Sequence, residues 1–308
     1  MINLSPMPVA SGHYAINSAP QLIYNLNLMT TTLPPQLSNN KVTQKKTRKV
    51  PNWMRPTFSP EHGVLLVLFG SFITGAALAQ QWTYTTTLAL ICAFFALQAE
   101  YPYIVQIKLR KNPKPRYLVW GGIYGSISLF LAVFLWFQAS ALLWLYGLVV
   151  VGLAIDAIAV IKGKHKSRIN EIVGFAAICL SAPLAYGATT GSLSIEAMAI
   201  WVLNTLFFSS AVYTIKLRRK KTSAFKPGVI YHCIAVVIIA ALYYCNYLSL
   251  ATALSFAIAL LKLLTVLGFR NWYRRSKFHA VAIFETRFAL LYIAIASISL
   301  LPAHLPPR

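Results

Sequence analysis

Acidic residues are scarce in this chain of 308. It has six, Glu61, Glu100, Asp156, Glu171, Glu196 and Glu285, against 28 lysines and arginines. The closest two, Asp156 and Glu171, are fifteen positions apart, so no DxxD or DxxxD stretch exists. A magnesium–diphosphate site groups several carboxylates on helix faces, and local motifs here cannot build one. HExxH, a Walker loop and a GxSxG elbow are also lacking. His62, His165, His232 and His279 have no metal-ligand spacing and read as loop or interfacial residues. The four cysteines form no CxxC pair and lie within or beside apolar runs, so neither a disulfide framework nor a zinc site is implied, and they suit small packing residues. No cofactor and no metal is expected.

Charge of either sign is also sparse. Charged residues make up 11% and hydrophobic ones 57%, whereas a soluble domain carries about 25% charged residues. Apolar runs repeat along the chain, several of them near the roughly 20 residues a helix needs to cross a bilayer. Spans are expected near 63–79, 84–107, 117–138, 140–161, 171–189, 195–215, 229–245, 248–268 and 280–301. Hydrocarbon leaves open strands unsatisfied, so the fold class is an all-α polytopic membrane protein of about nine helices. Residues 1–52, polar and uncharged before Lys41, read as a disordered cytoplasmic tail with neither a signal peptide nor a transit peptide. Met29 is an alternative start. Residues 53–303 form one helical domain, and 304–308 a short tail.

The net charge of +22 reports topology. Of the 28 cations, 25 fall in 41–55, 108–116, 162–168, 216–226 and 270–277, each before the first span or after an even-numbered one. The positive-inside rule places the N-terminus and these segments in the cytoplasm and the C-terminus opposite. They can attract anionic headgroups. No aromatic–basic platform accompanies them, so nucleic acid is not an expected partner. Localisation is the inner (plasma) membrane of a bacterium or another internal membrane, multi-pass.

Five of the six acids fall by depth in the cytoplasmic half. A charge at mid-span costs roughly 2.5–3.5 kcal/mol and calls for a partner or a polar cavity. One reading is structural pairing of Asp156 or Glu100 with Arg287 or a loop arginine; the other is a cytoplasm-facing cavity holding a headgroup. Lys262, six residues (about 9 Å) from its helix end, can snorkel. Glu285 and Arg287, two apart, should reach different neighbours. Asn204 suits a helix–helix hydrogen bond or a ligand contact. In "SPEHG" (59–63), Ser59 suits an N-cap, Pro60 the first helical position and Glu61 the helix dipole. A cap leaves His62 unexplained. Gly63, Gly70 and Gly75 allow close helix packing.

"SPEHGVLLVLFGSFITGAAL" resembles the opening of the YwiC-like family of bacterial membrane proteins, and "SRINEIVGFAAICLSAPLAYGA" (167–188) is similar to its middle segment. The resemblance runs over roughly residues 55–300. A more distant one is to the UbiA superfamily of membrane prenyltransferases, and it implies nine helices, a cytoplasmic N-terminus and a lateral, lipid-accessible cavity. Members of that superfamily hold magnesium and diphosphate with two Asp-rich stretches. Here those regions read "LQAEYPYIVQIKLR" and "SSAVYTIKLRRKK", with Glu100 their sole acid. That departure speaks against metal-dependent prenyl transfer.

The expected function is binding of a lipid, isoprenoid or quinone-type ligand with an anionic or polar headgroup. Arg116, Arg168 and Lys216 would meet an anionic head directly. Glu61, His62, Glu100 and Glu171 would supply hydrogen bonds or proton transfer, and Asn170, Asn204, Glu285 and Arg287 complete the candidate set. Whether the protein is an enzyme is not fixed by any motif. The partners are membrane lipids, an anionic phospholipid or an isoprenoid or quinone among them. One alternative is a secondary transporter or flippase relaying protons through Glu100, Asp156 and Glu285, although nine helices do not divide into two equal repeats. Another is a non-enzymatic assembly or scaffold protein.

Overall fold

The computed structural model describes residues 54–59, 62–109, 112–218 and 225–301, with His62 described by its backbone alone. The expected N-terminal tail, the alternative start, Glu61, the His62 side chain and the C-terminal tail lie outside the described residues. Among the described residues every regular element is a helix. The order is α1 (His62–Ala79), α2 (Tyr84–Lys108), α3 (Pro115–Gln138), α4 (Leu142–Ile161), α5 (Arg168–Cys179), α6 (Ser181–Thr190), α7 (Ile195–Lys216), α8 (Lys226–Tyr244), α9 (Leu250–Leu254), α10 (Ala257–Gly268), α11 (Arg270–Arg275) and α12 (Phe278–Ser299). Eight segments are long and apolar enough to cross a bilayer, with α5–α6 and α9–α10 each counting as one, and the shorter apolar helix Gly63–Ala79 makes the ninth expected segment. Every boundary falls within three residues of the sequence reading.

Local chemistry explains the interruptions. Pro183 has no N–H to give the Cys179 carbonyl, so the α5–α6 rod breaks at Leu180, whose own N–H bonds back to Ala177. Pro102 sits inside α2 in the same way. Thr83, Ser167, Ser194 and Ser249 cap α2, α5, α7 and α9, each accepting a backbone N–H three residues on.

α1 is short but central. Leu68, Phe72 and Ala76 join a cluster with α2, α3, α4 and α6. Val67 joins a second cluster built from α5–α8, α10 and α12. Gly75 lets α1 touch α6 backbone to backbone, since a Cβ there would lie 1.9 Å from the Ala182 carbonyl oxygen. Gly63 packs against none of the described residues, since none lies within 4 Å of its would-be Cβ. The outer faces are apolar: Phe130, Phe137 and Trp144 are 74%, 76% and 80% exposed. Side chains of this kind are stable facing lipid, where water would drive them together.

Candidate functional site

The connection from α4 to α5 is short and turns at Gly163, whose φ of +67° a side chain would resist. Ser167 then starts α5 by accepting the Asn170 N–H at 3.2 Å. The two helices therefore run side by side with opposite direction. Asn170 and Glu171, in the first turn of α5, meet Asp156 of α4 and Lys216 at the end of α7. The Asn170 amide donates to Asp156 Oδ1 at 2.6 Å and to the His165 carbonyl at 3.2 Å. Glu171 pairs with Lys216 at 2.6 Å, and Lys216 Nζ also lies 3.4 Å from the Lys166 carbonyl.

These groups help line a cavity of about 540 Å³ between α1, α2, α4, α5 and α7. Glu100, Tyr101 and Lys108 of α2 add further polar groups to the lining. Val64, Leu97, Ile104, Phe175, Ile178 and Val212 are among its apolar walls. Gly174 also lines it, with nothing within 4 Å of its would-be Cβ. The volume falls in the usual range for ligand sites, and the lining is amphipathic. Lys108 and Lys166 are exposed, whereas Lys216 is buried. Among the described residues no three His, Cys, Asp or Glu side chains converge as metal ligands would.

Of the sequence candidates, Glu100, Asn170, Glu171 and Lys216 meet at this cavity. Arg116 does not line it; its guanidinium donates to the carbonyls of Arg55 and Pro56, both at 2.7 Å, and ties down the segment before α1. Arg168 lies 5.8 Å from the Tyr213 ring. Asn204 is fully buried between helices, donating to Thr74 Oγ1 at 2.8 Å and accepting from the Tyr292 hydroxyl at 2.7 Å. Glu285 anchors a second polar cluster, bonded to Thr214 at 2.7 Å, Tyr273 at 2.8 Å and Lys262 at 3.0 Å. Arg287 is exposed on α12. Among the described residues Asp156 forms no ion pair with an arginine. Lys262 does not snorkel either: it is 2% exposed and turned inward. Burial first, and then the Glu285 charge, pushes the Tyr273 phenol well above its ordinary range. Asp156 was expected only as an ion-pair or proton-relay residue, and His165 only as a loop or interfacial one, so neither was placed at the ligand. The depth of Asp156 marked it, but its partner fourteen residues on depends on how the α4–α5 turn closes.

Residues 58–186 match the family model described as YwiC-like protein. The match takes in α1 to α5 and most of α6, hence every cavity element except α7. It ends at Tyr186, short of the span over which the sequence resemblance runs. No curated protein matches the chain, and no solved structure does.

Proposed function

With the YwiC-like match over 58–186 as premise, we propose that this polytopic helical protein binds a lipid, isoprenoid or quinone-type amphiphile in the α1–α2–α4–α5–α7 cavity. The single observation that carries the reading is the lining. It combines charged and polar groups, Glu100, Asp156, Asn170, Glu171 and Lys216, with aliphatic and aromatic ones. An amphiphile satisfies both kinds of group at once, whereas a fully polar solute would leave the apolar walls unmatched. Lining residues Lys108, His165, Lys166 and Lys216 belong to the basic segments 108–116, 162–168 and 216–226, which supports an opening on the cytoplasmic side.

Gly174 supplies the test. A tryptophan there would enter the cavity, because its first carbon meets no neighbour. Native mass spectrometry of the purified full chain should show a bound amphiphile in the wild type that is lost in Gly174→Trp, with the unfolding midpoint retained. A wild type that carries no amphiphile, and takes none up when lipid extract is added, refutes the reading.

A further inference from the structure

We infer that the inner polar wall of the cavity takes a primary ammonium group carried on an apolar chain. The inference rests on the amphiphile-binding reading above and specifies the head that the cavity accepts. Three of the acids, Glu171, Glu285 and Asp156, make polar side-chain contacts. Glu171 has Lys216 at 2.6 Å and Glu285 has Lys262 at 3.0 Å. Asp156 differs: among the described residues its hydrogen-bond partner is the neutral amide of Asn170, and no cation pairs with it. It is partly exposed and lines the cavity.

The orientation of Asn170 fixes which of its atoms meets Asp156. Its nitrogen faces two acceptors, the Asp156 carboxylate and the His165 carbonyl, so the amide cannot be turned round without placing oxygen against oxygen. The Asn170 oxygen is consequently fixed, and it is buried with no donor on it, in a residue 7% exposed that lines the cavity. With that oxygen sealed from solvent, the acceptor this wall presents to the cavity is the partly exposed Asp156 carboxylate. The buried cation beside it, Lys216, is already engaged by Glu171 and the Lys166 carbonyl. The remaining lysines, Lys108 and Lys166, are exposed.

An ammonium carries three N–H donors and the charge Asp156 lacks. A trimethylammonium head has the charge but no donor. An anionic head would face the carboxylate. The ammonium can belong to an aminophospholipid head or to a single-chain alkylamine; the chemistry at Asp156 is the same.

The experiment adds four probes separately to the full chain in maltoside micelles and measures affinity by displacement of a fluorescent fatty-chain reporter. The probes are dodecylammonium, dodecyltrimethylammonium, dodecyl phosphate and a short-chain phosphatidylethanolamine. Dodecylammonium should bind about tenfold tighter than the trimethyl analogue, as one charge-assisted hydrogen bond implies. Asp156→Asn should erase that difference, while Arg287→Gln, away from the cavity, should keep it. Phosphatidylethanolamine binding as tightly as dodecylammonium assigns the head to a phospholipid, and weaker binding assigns it to a free amine; both support the inference. Equal binding of the two ammonium probes, or preference for dodecyl phosphate, overturns it while leaving amphiphile binding intact. If the reporter itself fails to bind, and Gly174→Trp changes nothing, the underlying reading fails. Should Asp156→Asn not fold, the order of the four probes on the wild type decides alone.

Discussion

Lys262 offers the sharpest test of how this bundle holds its charges. By position it could reach the membrane surface, yet its ammonium is folded inward, 3.0 Å from Glu285 and 5.3 Å from the Phe207 ring centroid. Lys262→Met keeps the length and removes the charge, leaving Glu285 with the Thr214 and Tyr273 hydroxyls. Glu285→Gln leaves the reverse, a lysine 2% exposed with an amide in place of a carboxylate. Breaking a buried pair from one side destabilises by about 3–5 kcal/mol, whereas replacing both partners with groups of similar volume is often close to neutral. At about 2–4 °C per kcal/mol for a domain of 150–250 residues, each single variant should lower the unfolding midpoint by roughly 6–20 °C. The double variant Lys262→Met/Glu285→Gln should recover much of that loss. The assay is thermal unfolding of the four proteins in one detergent, read as a double-mutant cycle. A Lys262→Met midpoint within about 2 °C of wild type would show that the lysine snorkels after all, since a loss under about 1 kcal/mol fits an exposed pair. Strictly additive single effects would sink the pairing itself.

Other outcomes follow from the same geometry. Gly75→Ala should destabilise by about 1–3 kcal/mol, because its Cβ has the Ala182 carbonyl in its place. Gly174→Ala should instead be neutral or stabilising by up to about 1 kcal/mol, as a helical glycine with open space beside it; denaturant titration compares the two. Ser167→Ala should remove about 1 kcal/mol and raise amide exchange at the start of α5, where Asn170 and Glu171 are set. The raised Tyr273 phenol gives a signed pH effect. Because the folded state holds its proton more tightly, that contribution to stability is complete below the ordinary tyrosine range and is lost as pH rises through the folded value. Tyr273→Phe should accordingly flatten the alkaline limb of midpoint against pH above about 10.

Much of the scaffold was legible residue by residue. The apolar runs predicted each rod to within three residues because burying backbone in hydrocarbon admits one solution, a helix of nearly fixed length. Glu285 and Arg287 were expected to diverge, and they do, since residues two apart point about 200° away from each other on a helix. The short helix α11 was not foreseen: "RNWYRR" carries no hydrophobic period, and its one buried residue, Tyr273, is held by Glu285 from the following helix. Arg116 and Arg168 were expected at the ligand because they are cationic and lie at the right depth. Depth along a helix can be counted, but rotation about its axis cannot, and both turn to other partners.

The sequence by itself determined the class of fold, the number and extent of the apolar rods and the ends at which charge gathers. All of these follow from local chemistry measured against the thickness of a bilayer. Only the tertiary structure decided which charges are satisfied. It put Lys216 on Glu171 and Lys262 on Glu285, and it left Asp156 with an amide. Those choices depend on how the helices are rotated and brought together, through contacts such as Gly75 against Ala182 that join residues more than a hundred positions apart.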